Sequence, residues 1–281
     1  MEKNLTLKYQ SNCKINLGLQ VLNKRDDDFH NLESIFVELD LCDIITFKES
    51  HSFQLTSNNE SIVQVQNNTI SQAYNKMRLL SNNNQEYSID LFKNIPIGSG
   101  LGGGSSNAAT ILKALNNLWD IQLSNNELIQ IGSSIGSDVP FFINGRVQYI
   151  EGIGDILTPL DNIKISKLAI LLVYPNIHID TKWAYQSLKK GLEVSETYNK
   201  FLDFNNQVNW KLLKNDFENV VFSTYPEISK IKEMLISRKV LYAGLSGSGS
   251  TVYGIFDNKE EALEVSKLFP SCRTYIVSPT V

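Results

Sequence analysis

Between Pro96 and Ala109 the chain reads P-I-G-S-G-L-G-G-G-S-S-N-A-A, with five glycines in the seven positions from Gly98 to Gly104. Only Ser99 and Leu101 interrupt Gly98, Gly100, Gly102, Gly103 and Gly104. With no Cβ atoms, such a run can turn several backbone N–H groups into one concavity and let a ligand approach the main chain. Ser105 and Ser106 follow, and then Ile111, Leu112, Leu115, Leu118 and Trp119 recur at helical spacing. A strand pattern from Tyr87 to Lys93 precedes the run. Strand, glycines and helix start in that order put unpaired N–H groups and the positive end of a helix dipole beside the loop. That is the chemistry of a phosphate cradle. A mere flexible loop with a serine cap does not account for the order.

The type of cradle is narrowed by what is missing. Gly98, Gly100 and Gly103 satisfy G-x-G-x-x-G, but a dinucleotide fold carries that pattern in its first strand-to-helix turn, not near residue 100. A Walker A loop needs lysine after its last glycine, and Gly104 stands there. The V-A-I-K and D-F-G signatures of a protein kinase are absent. A cation for the outermost phosphate must therefore come from elsewhere. One candidate is Lys14, which shares a strand face with Asn16 and Gly18, although a lone strand lysine is commonly just solvated. A candidate base is Asp138, in the polar turn Gly136-Ser-Asp-Val-Pro140, where the plainer role is a helix cap. A carboxylate within reach of an alcohol can take its proton, and a neighbouring lysine keeps that carboxylate ionised and offsets phosphate charge.

These residues need scaffolding. Lys14 to Leu22 alternates, with Ile15, Leu17, Leu19 and Val21 on one face, which predicts a strand. Ile44 to Lys48 and Tyr87 to Lys93 predict two more, and Ile70, Ala73, Tyr74, Met77 and Leu80 predict a helix. The Asn-rich spots (Asn58-Asn59, Asn82 to Asn84, Asn125-Asn126, Asn205-Asn206) read as loops. From Leu168 the rhythm changes to strand, helices, strand, strand, helix, strand, the order of a split βαβ, ferredoxin-like sandwich. A boundary falls between 155 and 165.

At 281 residues, with 42% hydrophobic and 20% charged residues, the chain has the composition of a folded domain. The longest apolar run, Leu168 to Tyr174, falls far short of the roughly 20 residues that span a bilayer. A net charge of −4 gives no basic footprint for nucleic acid. Cys13, Cys42 and Cys272 are too dispersed for a disulfide framework or zinc site, and Met1-Glu2-Lys3-Asn4-Leu5 lacks the opening of a secretory signal. The expectation is a cytoplasmic protein, monomeric or weakly dimeric, whose partners are small molecules, with no membrane or nucleic-acid partner.

Three separated stretches, Lys14-Ile-Asn16-Leu-Gly-Leu, the P-x-x-x-G-L-G-G-G-S-S run from Pro96, and Leu245-Ser-Gly-Ser-Gly-Ser-Thr251, resemble the three motifs of the GHMP small-molecule kinases. The K-R-D-D-D-F-H block from Lys24 to His30, Gly136-Ser-Asp138-Val-Pro140-Phe and Asn215-Asp-Phe-Glu218-Asn219 extend the resemblance over most of the chain. It implies an α+β, two-lobed GHMP kinase fold, with a ribosomal-protein-S5-like N-terminal lobe (1–158, ATP-binding) and a ferredoxin-like C-terminal lobe (159–281). It also implies transfer of the γ-phosphate of ATP to the 2-hydroxyl of a cytidyl-diphospho-methylerythritol, in non-mevalonate isoprenoid precursor synthesis. Asp138 and Lys14 match the catalytic pair. Pro96, Gly98, Ser99, Gly100, Leu101, Gly102, Gly103, Gly104, Ser105 and Ser106 match the ATP loop, and Lys93 and Asn68 match adenine contacts. Mg²⁺ would ride on the phosphates, with Ser105 or Ser106 touching it. Phe29 and Tyr185 match residues that stack on cytosine, His30 one that hydrogen-bonds it, and Asn16, Gly247 and Gly249 further substrate positions. Gly247 and Gly249 equally suit a hairpin turn. Asp28 stands where the family has glycine, so the turn presenting Phe29 and His30 is where this chain departs from it. The alternatives are a GHMP kinase for mevalonate, homoserine or a sugar, and a nucleotide-binding regulator without catalysis.

Overall fold

The computed structural model describes residues 6–26, 30–188 and 207–280. In chain order the elements are strands β1 (Thr6–Lys24), β2 (His30–Ser50) and β3 (Gln54–Ser57), helices α1 (Glu60–Gln64) and α2 (Thr69–Leu80), strand β4 (Glu86–Phe92), and helices α3 (Gly103–Leu118), α4 (Asn125–Ser133) and α5 (Val139–Asn144). Strands β5 (Val147–Glu151), β6 (Ile156–Pro159) and β7 (Ala169–Tyr174) follow, then helices α6 (Thr181–Ser187), α7 (Phe217–Thr224) and α8 (Pro226–Ile236), strands β8 (Tyr242–Leu245) and β9 (Val252–Phe256), helix α9 (Lys259–Ser266) and strand β10 (Arg273–Val277). Two compact units emerge. One comprises Met1–Cys13, Leu41–Pro96 and Gly102–Gly145, and the other Lys14–Asp40, Ile97–Leu101 and Arg146–Val281.

In the first unit, the second half of β2 pairs antiparallel with β4 from Ile44↔Phe92 to Ser50↔Glu86, and β3 runs parallel to β4. Helices α2 and α3 fill the core. Ile111, Leu112 and Leu115 of α3 are fully buried, each contributing roughly 1.5–3 kcal/mol of transfer free energy. Tyr74 stacks on Phe53 at 4.1 Å and meets the edge of Trp119 at 5.2 Å. Asn125 and Asn126, read above as loop, form the first turn of α4. Ser124 and Glu127 build a reciprocal capping box there, which outweighs the weak helix propensity of asparagine.

In the second unit, the first half of β2 pairs antiparallel with β5 from Ser34↔Ile150 to Val37↔Val147, and β6 continues from β5. A separate four-stranded sheet has the order β10-β7-β9-β8. Strands β7 and β8 are each antiparallel to β9 and so parallel to one another, with β9 inserted between them. This is the split βαβ arrangement predicted from the rhythm after Leu168. Leu171, Val173, Phe217, Val221, Ile228, Leu235 and Phe256 pack its helices onto the sheet.

Strand β1 departs from the expected half-exposed strand. Cys13 through Leu19 are all buried, with Lys14 only 3% and Asn16 only 1% exposed. Its polar face is turned inward, onto partners that satisfy it.

Candidate active site

The glycine run divides at Gly102, which sits in the left-handed region (φ 71°) as the residue preceding α3. Gly103, Gly104 and Ser105 are then the first three residues of the helix, and their N–H groups have no intrahelical acceptor. The Ser106 N–H closes the first helical bond, to the Gly102 carbonyl at 2.9 Å. The two serines differ. Ser106 is 2% exposed, and its hydroxyl hydrogen-bonds Ser11 Oγ at 2.8 Å. Ser105 is half-buried. A Cβ on Gly136 would lie 3.6 Å from Ser105 Oγ, so the turn carrying Asp138 packs against the start of α3. Asp138 precedes α5 with φ −87° and ψ −8°, and its side chain makes no capping bond to that helix. Val139 and Pro140, buried just behind it, fix the turn.

A buried carboxylate supports this arrangement. Asp43, 0% exposed, accepts hydrogen bonds from the Asn94 N–H (2.8 Å), the Ile95 N–H (2.9 Å) and Asn107 Nδ2 (2.9 Å), and forms an ion pair with Lys93. Asn107 Nδ2 also donates to Ser11 Oγ at 2.9 Å. One residue thus ties the segment entering the glycine run to the second turn of α3. The Lys93 side chain is only 7% exposed. Burial pulls its pKa below the usual lysine value, against the opposing pull of Asp43. Its ammonium lies under Gly103, where a Cβ would meet Nζ at 2.7 Å. Asn68 caps α2 through Oδ1 to the Ser71 N–H, and its Nδ2 donates to the Ile62 and Val65 carbonyls. Next to it, Thr69 Oγ1 donates to the Gly104 carbonyl at 2.9 Å.

In the second unit the first half of the run, Ile97–Leu101, is stitched to two distant stretches. The Lys14 N–H donates to the Leu101 carbonyl at 3.0 Å, and the Thr251 N–H to the Ser99 carbonyl at 3.1 Å. Ser246 Oγ donates to the Gly100 carbonyl at 3.0 Å. Ser99 and Leu101 point inward, at 2% and 0% exposure. Residues 246–251 form the turn of the β8–β9 hairpin, with Leu245 opposite Val252, and Gly247 and Gly249 both have positive φ. The hairpin reading of these glycines holds, and the same turn abuts the glycine run. Asn215 clasps it by donating to the Leu245 and Gly247 carbonyls, both at 2.8 Å. Asp216 accepts from the Val21 N–H and Glu218 from the Leu245 N–H.

Lys14 Nζ donates to Asn16 Oδ1 at 2.7 Å and lies 4.2 Å from the centre of the Phe36 ring. His30 stacks on Tyr185 at 5.7 Å with an interplanar angle of 25°. Burial, then the charge of Lys24, lowers the His30 pKa, favouring the neutral ring. Phe29 and Asp28 lie outside the described residues. A pocket of about 260 Å³ is lined by Gly98, Gly100 and Gly249 together with His178, Thr181 and Lys182. Sequence reasoning missed the last three. His178 lies between β7 and α6, Thr181 and Lys182 open α6, and none of them belongs to a spaced motif. The one available signal was Asp180, the N-cap of α6, which accepts from the Trp183 N–H at 2.7 Å.

The family model for the GHMP kinases N terminal domain matches residues 68–146, and that for GHMP kinases C terminal matches residues 202–268. A 4-diphosphocytidyl-2-C-methyl-D-erythritol kinase of Thermodesulfovibrio yellowstonii is 41% identical over 271 residues, 92% of each chain. The chain belongs to the 4-diphosphocytidyl-2-C-methyl-D-erythritol kinase family of the GHMP kinases. A second relative of that name, from Azobacteroides pseudotrichonymphae, is 40% identical over 87% of this chain and 91% of its own. A crystal structure of a 4-(cytidine 5'-diphospho)-2C-methyl-D-erythritol kinase superposes with a TM-score of 0.82 over 98% of this chain and all of its own, at 24% identity. A homoserine kinase of Cytophaga hutchinsonii gives 0.71 at 17% identity, over 100% of this chain and 96% of its own. The fold is that of the GHMP kinases.

The glycines of the run serve two different uses. At Gly100 φ is +80°, and a Cβ would collide with the Ser246 carbonyl and sit 2.9 Å from that of Gly249. At Gly104 φ is ordinary, and the nearest atom to a Cβ is Thr69 Oγ1 at 3.7 Å. Gly100→Ala is therefore expected to lower the melting temperature. Gly104→Ala is expected to leave it unchanged while raising KM for ATP by about tenfold or more, a loss of about 1.4 kcal/mol. Thermal melts with steady-state kinetics distinguish the two. A Gly104→Ala enzyme with unaltered KM places the phosphates elsewhere.

Proposed function

We propose that the chain transfers the γ-phosphate of ATP to the 2-hydroxyl of 4-diphosphocytidyl-2-C-methyl-D-erythritol. The observation that carries this reading is the packing, within one unit, of Asp138's turn against the open N–H groups at the start of α3. Hydrogen-bond donors for phosphate and a base are wanted side by side for phosphoryl transfer to an alcohol, where the protein supplies position and charge rather than covalent chemistry. Asp138 takes the proton of the attacking hydroxyl. Lys14 offsets the charge on the transferring phosphoryl group. The N–H groups of Gly103, Gly104 and Ser105 hold phosphate oxygens. His30 and Tyr185 receive the cytosine ring, with Phe29 as the third member of that set.

Mg²⁺ belongs to this reading. Among the described residues no group of three or more His, Cys, Asp or Glu could hold a metal ion. A hydroxyl from Ser105 fits an ion carried mainly by phosphates and water. Of the two serines, Ser105 suits the role, because the Ser106 hydroxyl is buried against Ser11. Bound there, the ion would neutralise charge on the phosphates. Lys93 contributes by supporting Gly103 from below, since its ammonium is engaged by Asp43.

A coupled assay of ATP consumption tests the proposal, with the cytidyl-diphospho alcohol, mevalonate, homoserine or no acceptor. Turnover is expected only with the first. Equal rates without an acceptor, or with homoserine alone, would sink the substrate assignment. The homoserine arm is included because a homoserine kinase shares the fold.

A further inference from the structure

We infer that Ser34 is a positioning residue for Lys14, an assignment that rests on the role of Lys14 proposed above. Ser34 lies in β2 and is 0% exposed. Its hydroxyl carries one proton, and that proton is used. Ser34 Oγ donates to the Gly18 carbonyl at 2.6 Å. Toward Asn16, 3.1 Å from the same oxygen, the hydroxyl can therefore only accept. The atom of Asn16 facing Ser34 must then be the amide nitrogen, which leaves the amide oxygen on the opposite branch, aimed at Lys14 Nζ at 2.7 Å. An ammonium is donor-only, so this is the single amide orientation that serves both neighbours.

Two residues further along β2, on the same face of the strand, the Phe36 ring lies 4.2 Å from that ammonium. Backbone anchors complete the frame. The Asn16 carbonyl accepts from the fully buried Tyr253 hydroxyl at 2.7 Å, and the Lys14 N–H is bonded to Leu101. Strand β1 is thus held by its backbone, while the direction of the Lys14 side chain is set through Asn16 by the Ser34 hydroxyl. Without that hydroxyl the amide nitrogen of Asn16 loses its acceptor. The amide is then free to turn and present N–H groups, rather than oxygen, to the ammonium. The strand stays, but the ammonium loses the oriented amide oxygen that directs it.

The experiment compares the full-length wild type with Ser34→Ala, Ser34→Cys, Ser34→Thr, Lys14→Ala and the Lys14→Ala/Ser34→Ala double variant. All are assayed with whichever alcohol the wild type accepts, so that an error in the substrate reading shows as a different acceptor rather than as an effect at Ser34. Ser34→Ala is expected to lower kcat about tenfold with KM for ATP unchanged, since a transition-state interaction is lost without ground-state binding. Ser34→Cys, similar in size but a poor acceptor, should behave the same way. Ser34→Thr, which keeps the hydroxyl, should recover most of the rate. In the Lys14→Ala background the Ser34→Ala change should cost nothing further, because residues acting as a unit are not additive. A purely structural serine would impose its full penalty in both backgrounds. That result, or a Ser34→Ala enzyme with wild-type kcat, overturns the assignment.

Discussion

Asp138→Asn is expected to cut phosphoryl transfer by about 10²–10⁴-fold while leaving the fold and ATP binding intact. The substitution keeps shape and hydrogen-bonding capacity but removes the ability to take a proton. A positioned general base typically contributes 10²–10⁴-fold, so a residual rate of about 10⁻² to 10⁻⁴ of wild type is the scale to look for. The turn should survive, because its conformation depends on buried Val139 and Pro140 and the Asp138 side chain does not cap α5. Calorimetric titration with a non-hydrolysable ATP analogue should give a wild-type Kd, and the thermal midpoint should not move. Wild-type turnover in this variant would remove Asp138 from the mechanism. Loss of turnover together with loss of nucleotide binding would assign it to binding instead.

The largest expected loss of stability lies at Asp43. Asp43→Ala strips the counter-charge from a Lys93 ammonium whose side chain is 7% exposed and orphans three further N–H donors. Breaking a buried pair in this way costs about 3–5 kcal/mol, a large share of a typical domain's total stability of about 5–15 kcal/mol. Lys93→Met should cost much less, since the carboxylate keeps its bonds to Asn94, Ile95 and Asn107. Urea unfolding of both variants makes the comparison. Equal losses would mean that the charge pairing itself, rather than the desolvated ammonium left behind, dominates. The same variants bear on the site, because Asn107 lies in the first two turns of α3, and only Asp43→Ala should also raise KM for ATP.

The glycine-rich loop leading into α3 was legible in the sequence because glycine density is a local signal, and so was the split βαβ because its strands and helices alternate in unmistakable blocks. Strand β2 was legible only at Ile44 to Lys48. From Leu32 to Val37 every residue is buried, so alternation disappears there. Strand β1 was seen as a strand but not as a doubly buried one. Nothing local says that Lys14 and Asn16 face Ser34 and Phe36 rather than water. Asp43 gave no signal at all, since its four partners come from two stretches of chain at least fifty positions away. The Asn215 to Glu218 stretch stood out as a motif, yet its physical work is to clasp the β8–β9 turn. The spacing of residues around Ser105 and Ser106 could not separate the two hydroxyls; Ser11, ninety-five positions away from Ser106, does.

The bonds joining Ser99 and Gly100 to Ser246 and Thr251 have a consequence for anyone who recombines these enzymes. Two signatures about a hundred and fifty positions apart form one mechanical part, with the missing side chain of Gly100 making room for the carbonyls opposite. A chimera that imports residues 159–281 from a distant cousin, but retains the host's 97–101, splits that part across two ancestries. The crossover that transplants cleanly is the one that carries the pentapeptide along with its far-off counterpart.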